Sequence, residues 1–131
     1  MLKIRTIQDT ISETNKKDIR QVQDIIRQQL PNESEEDIEA ISDYLQNPMK
    51  YRFRAILYIA EDIKGIVQGF TLLLHFSDLS FCMLEYLLAR DENKRESLLE
   101  GLYLRAKEDA QALKTLGVFI ESGPDRAAQC S

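Results

Sequence analysis

Proton transfer is the chemistry that a carboxylate or an imidazole offers, and two such groups stand out in this sequence. Glu85 stands in the otherwise apolar run of residues 79–89, and His75 is the only histidine of the chain. Glu85 alternates with Leu84 and Tyr86, so it also fits the exposed side of a half-buried strand. His75 lies near the end of an apolar run, where a partly exposed structural role is the simpler interpretation.

Cysteine usage favours neither a metal centre nor a disulfide framework. Cys82 and Cys130 lie far apart in the sequence, with no second pair and a single histidine. Zinc sites and disulfide scaffolds need closer or more numerous ligands. We therefore expect no metal site, and Cys82 is predicted to be a buried strand residue.

Composition restricts the class of protein. The 131 residues fit one domain, and 44% hydrophobic and 30% charged residues are typical of a globular chain. A net charge of −5 argues against nucleic acid as a partner, because phosphate contacts need a basic face. No run approaches the roughly 20 apolar residues that span a bilayer, and the opening residues lack a signal-peptide core. A cytoplasmic location and no membrane partner are expected.

Hydrophobic spacing predicts the elements that must hold these groups. An alternating opening, residues 2–5, predicts a strand, and two amphipathic helices follow, the first ended by Pro31 and the second begun by Ser34. Apolar runs at 55–60 and 66–76 predict a hairpin, and 79–89 a further strand. A long helix, about 95–116, precedes the short apolar run Val118-Phe119-Ile120.

The predicted order is therefore β-α-α-β-β-β-α-β, an α/β (α+β) fold with a mixed five-stranded sheet and a right-handed helical crossover to the last strand. Leu98, Leu102, Ala106 and Leu113 are predicted to form the buried face of the long helix. Residues 1–122 are expected to form the domain, and residues 123–131 a tail or the start of a linker.

Two segments carry a resemblance to a known superfamily: residues 101–121, which run from Gly101-Leu-Tyr103 to Gly117-Val-Phe-Ile-Glu121, and the hairpin with Val67-Gln-Gly-Phe70. With the element order, they resemble the cofactor helix and following strand of GNAT-type N-acetyltransferases. In finer detail, residues 50–54 (Lys-Tyr-Arg-Phe-Arg) and Pro124-Asp125 are similar to the acetyltransferase-like segment that precedes the amidohydrolase domain in some bacterial proteins of the histone-deacetylase family.

The resemblance implies acetyl-CoA as a substrate, with its diphosphate held by a glycine-containing loop before the long helix. The matching positions contain no glycine; they are Asn93, Lys94, Arg95, Glu96, Ser97, Leu98 and Leu99. Side chains at Ser97 and Leu99 are expected to crowd the diphosphate, and Glu96 to offset the charge of Lys94 and Arg95. An ordinary capped helix with a solvated charge run in front of it explains the same residues equally well.

The resemblance also implies the rest of the site. The pantetheine arm would pair with the backbone of Leu87, Leu88 and Ala89, in a slot where the fourth and fifth strands diverge near Leu88 and Phe119. Glu85 occupies the position where several members carry a catalytic glutamate, which implies a base for the amine. His75 is the alternative base. Tyr103 is expected to be a core residue, and the superfamily's tyrosine acid lies beyond the end of this chain.

Two functions remain open from the sequence, with an unrelated α/β interaction domain as a third. One is an acetyl-CoA-dependent N-acetyltransferase, in which an amine attacks the thioester directly. The other is a catalytically inactive module that senses acyl-CoA or regulates a partner such as a deacetylase-like domain. The sequence lacks the C-terminal helix and strands of a full member of the superfamily, and it is either a fragment or a minimal domain. If it is complete, the last strand has an open edge, which a homodimer or docking to a second domain would cover.

Overall fold

The computed structural model describes residues 2–91, 93, 95–113 and 117–120, and it has the predicted order of elements. The helices and strands are β1 (Lys3–Ile7), α1 (Glu13–Gln29), α2 (Glu35–Gln46), β2 (Arg54–Glu61), β3 (Val67–Phe76), β4 (Phe81–Ala89), α3 (Arg95–Ala112) and β5 (Gly117–Ile120). Short 3-10 turns, Pro48–Lys50 and Ser77–Leu79, precede β2 and β4. The α/β fold predicted from the sequence is confirmed.

One five-stranded sheet organises the chain, with its strands in sequence order from β1 to β5. The first four strands pair antiparallel; β2, β3 and β4 follow one another as a meander, whereas α1 and α2 connect β1 to β2. Only β5 runs parallel to its neighbour, with Phe81 opposite Gly117 and Leu84 opposite Ile120. A parallel pair needs a crossover, and α3 supplies it.

Both faces of the sheet are covered by helices, because apolar residues alternate along the strands. On one face, α1 and α2 pack over a cluster that includes Leu57, Leu72 and Tyr86. On the other face, α3 packs over a cluster that includes Tyr58, Leu73 and Leu84. This alternation, with period two along each strand, assigns every strand residue to one face.

Serine caps fix where the first two helices begin. Ser12 accepts a hydrogen bond from the amide of Asn15 at 3.0 Å, and Ser34 accepts one from the amide of Asp37 at 3.1 Å. Each serine satisfies an amide that has no partner within its helix. The cap at Ser34 confirms the predicted start of α2.

The long helix is shorter than the spacing predicts. Leu98, Leu102 and Ala106 are buried as expected, but α3 ends at Ala112 and Leu113 is 42% exposed. The prediction of Leu113 as a member of the buried face is therefore wrong, since the chain leaves the helix one residue earlier. Cys82 is buried, as predicted.

Candidate functional site

Glu85 lies in β4 on the face covered by α1 and α2. Its partner on β3 is Leu72, which belongs to the cluster beneath those helices. Residues directly opposite in an antiparallel pair share a face. The carboxylate-bearing residue is half-buried, so it is neither fully solvated nor sealed in the core.

A β-bulge directly follows Glu85. Thr71 pairs with Leu87 and Leu72 with Glu85, which leaves Tyr86 as the extra residue of β4. Tyr86 has φ 71°, in the left-handed region that a bulky residue rarely adopts. The buried hydroxyl of Thr71 donates a hydrogen bond to the carbonyl of Tyr86 at 2.7 Å. The bulge is thus held by a specific contact, and it bends β4 immediately after the carboxylate.

Tyr86 also ties the strand to the loop between α1 and α2. Its hydroxyl donates a hydrogen bond to Oε2 of Glu33 at 2.5 Å. Burial, followed by this bond to the Glu33 carboxylate, raises the pKa of Tyr86, so the phenol stays protonated at neutral pH. Sequence analysis missed Thr71, Tyr86 and Glu33, because neither a bulge nor a contact over 53 positions leaves a local signal.

The three residues implied in pantetheine binding follow the bulge. Leu87 and Ala89 belong to the cluster beneath α3, and Leu88 packs against the opposite cluster. The described part of β5 covers β4 only from Phe81 to Leu84. Phe119 lies opposite Met83, so the strands are still paired at that residue, and their divergence towards Leu88 stays a prediction. The residues after Ile120, which bear on a slot beside Leu88, lie outside the described part.

The start of α3 presents only part of the predicted loop to solvent. Asn93, Glu96 and Ser97 are exposed and Arg95 is half-buried, whereas Leu98 and Leu99 are buried at 6% and 8% exposure. Both leucine side chains pack in the cluster beneath α3. The expectation that the Leu99 side chain crowds a diphosphate is therefore wrong; the exposed groups are Glu96 and Ser97. Lys94 lies outside the described residues.

Gly69 allows the start of α3 to approach the sheet. A Cβ at this position would lie 2.7 Å from Cδ2 of Leu98 and 2.9 Å from the carbonyl oxygen of Leu88. The helix start and the end of β4 therefore meet over a residue without a side chain. Residues 87–89 and the first turn of α3 are neighbours, as the resemblance implies.

Arg90, the next residue after β4, has a structural position. Its Nε donates to the carbonyl of Val67 at 2.7 Å, and its own carbonyl accepts from Gln29 of α1 at 3.2 Å. Nearby, Oε1 of Gln21 in α1 accepts a hydrogen bond from the backbone amide of Val67 at 2.9 Å. These bonds fix the end of β4 against α1 and β3, and they occupy the guanidinium.

The alternative base, His75, is not brought to Glu85. His75 pairs with Arg54 and Cys82 on the α3 face, whereas Glu85 lies on the opposite face. Tyr103 is half-buried against the α3 cluster, consistent with a core position, and the Lys107 ammonium lies 5.9 Å from its ring centroid. The two candidate bases therefore lie on opposite faces of the sheet.

In the described part of the chain, no three side chains among His, Cys, Asp and Glu converge as metal ligands would. Within the same part of the chain, no helix is both long and apolar enough for a membrane span.

Neither a family model nor a curated protein matches this sequence, but solved structures match its fold. Tetrahymena GCN5 superposes with a TM-score of 0.81 at 12% identity, over 97% of this chain and 74% of that chain. The aminoglycoside acetyltransferase meta-AAC0020 from an uncultured soil metagenomic sample, in complex with sisomicin, gives 0.67 at 16% identity, over 98% and 82%. The aminoglycoside acetyltransferase AAC(6')-Iy, bound to the bisubstrate analog CoA-S-monomethyl-acetylneamine, gives 0.69 at 11%, over 98% and 84%. The chain therefore has the GNAT acetyltransferase fold.

Proposed function

We propose that this chain is an acetyl-CoA-dependent N-acetyltransferase in which Glu85 is the catalytic base. The observation that carries the proposal is the half-buried Glu85, which directly precedes a β-bulge in β4 of an acetyltransferase fold. Bulges are over-represented beside active sites, where they redirect a strand. The proposed setting is the cytoplasm, which the sequence predicts.

Acetyl transfer needs a neutral amine, and this requirement gives Glu85 its role. An alkyl amine with a pKa near 10.4 costs about 4 to 5 kcal/mol to deprotonate at pH 7. In the proposed step the Glu85 carboxylate accepts a proton from the ammonium form of the acceptor, directly or through one water. The lone pair of the neutral nitrogen then forms the C–N bond to the thioester carbonyl carbon, and the C–S bond breaks. The second proton lost by the nitrogen goes to the leaving thiolate, so coenzyme A leaves as the thiol.

Acetyl-CoA, the acetyl donor, is assigned to a site between the end of β4 and the start of α3. The backbone of Leu87, Leu88 and Ala89 would pair with the pantetheine arm, and the first turn of α3 would face the diphosphate. A helix N-terminus favours an anion through its unpaired amides and its dipole. The inward packing of Leu98 and Leu99 fits this assignment, because their side chains leave the solvent side of the turn open.

The acceptor is proposed only as an amine. The structural neighbours include enzymes named for aminoglycosides, one of them bound to sisomicin. Those ligands belong to the neighbours, and at 11% to 16% identity they do not transfer to this chain by likeness. The half-buried carboxylate of Glu85 is the group that favours a basic acceptor here.

One observation favours the alternative, a module that senses acyl-CoA without acetyl transfer. The first turn of α3 contains no glycine, and the exposed Glu96 places negative charge where the diphosphate would lie. Such a module would regulate a partner, either a second copy or a docked domain. A deacetylase-like domain is the partner to which the resemblance of residues 50–54 points.

The enzyme proposal is tested by following thiol release from acetyl-CoA in the presence of spermidine, sisomicin or a lysine-containing peptide. The native chain should release thiol with at least one amine, and Glu85→Gln should reduce kcat by about 100-fold or more, because a general base contributes that much. Glu39→Gln, which removes an exposed carboxylate from α2, should leave the rate unchanged.

The same assay separates the two proposed functions. Binding of acetyl-CoA without thiol release from any of the amines would favour the sensing module. Equal rates for native chain and Glu85→Gln would remove Glu85 from the mechanism.

A further inference from the structure

A cleft of about 570 Å³ opens at the end of the sheet where β2 begins and β3 ends. Its floor on the α3 face includes Arg54, Ile56 and His75, and Leu113 borders it just past the end of α3. Its volume lies within the 300–1,000 Å³ typical of small-molecule sites. The cleft is separate from the proposed acetyl-CoA site.

The separation follows from the register of β3. Gly69 lies beneath the start of α3, and His75 lies six residues further along the same strand. At roughly 3.3 Å per residue, the two places are about 20 Å apart. A ligand in the cleft would therefore not occupy the space assigned to acetyl-CoA.

The charge of the cleft has the opposite sign to that of the whole chain. Arg52 and Arg54 line it, and Asp78 is the one acidic residue among the described residues that line it, whereas the chain carries a net charge of −5. Arg54 is exposed at the start of β2, and its side chain makes no hydrogen bond or ion pair with any residue that the structure describes. Arg52 is 85% exposed and contacts Asp78 only at 3.8 Å, which is a weak pair. With respect to the residues that the structure describes, two guanidinium groups are thus available to a ligand.

The wall also contains apolar and aromatic side chains, beside the polar residues Gln8 and Ser77. The rings of Tyr51 and Phe53 stack with centroids 5.2 Å apart, and both residues line the cleft. The hydroxyl of Tyr51 donates a hydrogen bond to Asp43, which holds the ring in place. Met49 also lines the cleft and is 95% exposed, so its side chain is accessible to a ligand. Aromatic and sulfur surfaces of this kind suit a planar apolar ligand.

We propose that this cleft is a second ligand site, which binds an aromatic carboxylate. The ring of such a ligand would pack against Phe53, Met49 and Ile56, and its carboxylate would accept hydrogen bonds from Arg54 and Arg52. Guanidinium and carboxylate match in geometry and charge. The inference goes beyond acetyl transfer and does not depend on it.

The test uses indole-3-acetate as the probe and amide NMR spectra of the full chain as the readout. Shifts should concentrate at Arg54, His75 and Ser77, with a Kd on the order of 1 mM, as expected for a ligand of this size. Indole-3-acetamide, which has the same ring and no charge, should bind about fivefold more weakly. Acetyl-CoA is absent from the experiment, so its outcome is independent of the proposed enzyme activity.

Matched variants assign the charge. Arg54→Gln should weaken indole-3-acetate binding about fivefold, whereas Arg20→Gln, which removes the same charge from the exposed side of α1, should not change it. The spectrum of each variant reports whether the fold is intact. Absence of shifts at the cleft, equal binding of the amide, or equal effects of the two substitutions would each overturn the proposal.

Discussion

The side chain of Tyr86 connects the bulge in β4 to the loop between α1 and α2. Its ring is buried at 4% exposure, and its hydroxyl reaches Glu33 at 2.5 Å. Because Glu85 is the preceding residue, any shift of Tyr86 moves the backbone that carries the proposed base. The contact therefore has a structural consequence and a functional one.

Replacing Tyr86 by Phe tests this contact at the residue scale. The loss of one hydrogen bond to a partly exposed carboxylate should lower the free energy of unfolding by about 1 kcal/mol at pH 7. Chemical denaturation of both proteins measures the difference. A stability equal to that of the native chain would show that the bond has no net effect.

Alkaline pH provides a second measurement on the same residue. The pKa of Tyr86 is raised in the folded state, by burial first, so the unfolded chain loses this proton before the native one. The contribution of Tyr86 to the free energy of unfolding is therefore fully present below about pH 10 and is lost as the pH rises above that value. The pKa of Tyr58, beside Asp109, is raised for the same main reason. Tyr86→Phe should therefore reduce the steepness of the alkaline loss by about one proton without abolishing it.

Glu85 could be chosen from sequence because a lone carboxylate in an apolar run is conspicuous and matches a superfamily position. The geometry around it could not be predicted. A tyrosine is a poor choice for φ 71°, so the residue type argues against the conformation that it adopts. Thr71, which holds the bulge, has the appearance of an ordinary strand residue.

At the scale of elements, the approach of α3 to β3 and β4 places the helix start beside residues 87–89. The approach depends on Gly69, because a Cβ there would lie 2.9 Å from the backbone oxygen of Leu88. The Leu98 side chain can rotate away, but a backbone carbonyl in the sheet cannot. Gly69 is thus a steric requirement of this helix position.

Gly69→Ala should destabilise the fold by about 1 to 3 kcal/mol through this overlap. Gly101→Ala is the matched control. Gly101 lies within α3, and a Cβ there would lie 3.8 Å from Cδ1 of Ile4, an ordinary contact distance. That substitution should stabilise the helix by about 0.5 to 1 kcal/mol, because alanine loses less backbone entropy. Denaturation midpoints of the two variants should shift in opposite directions. A shift of Gly69→Ala in the stabilising direction would contradict the steric account.

The sequence was sufficient to predict the element types and their order, because the apolar spacing changes clearly between period two and period 3.6. The helix ends were predictable where a cap marks them, as at Ser34. The end of α3 was not, since apolar Leu113 continues the spacing after the helix has ended at Ala112. The register of β5 on β4 depends on tertiary packing and has no local code.

At the scale of the whole molecule, the sheet separates the proposed roles. The face covered by α1 and α2 carries Glu85. The end of the sheet where β4 finishes carries the backbone assigned to acetyl-CoA, and the end where β2 begins opens into the cleft lined by Arg54. A fold shared with GCN5 and aminoglycoside acetyltransferases could be expected from element order, but the cleft could not. Its lining joins residues from β2, β3 and the segment after α2, which come together only in three dimensions.

The measurement that tests the central claim most directly is a calorimetric titration of acetyl-CoA into the native chain and two variants. The first variant combines Glu96→Gln with Ser97→Gly, which removes the charge and one side chain from the exposed first turn of α3. The control is Glu108→Gln, an exposed carboxylate further along the same helix. The native chain should bind, the first variant should bind about threefold more tightly, since exposed charges contribute modestly, and the control should match the native chain. If neither the native chain nor the first variant binds acetyl-CoA, the assignment of an acetyl-CoA site to this end of the sheet is contradicted. If the native chain binds at low-micromolar Kd and the substitutions do not change that Kd, this turn does not obstruct the diphosphate.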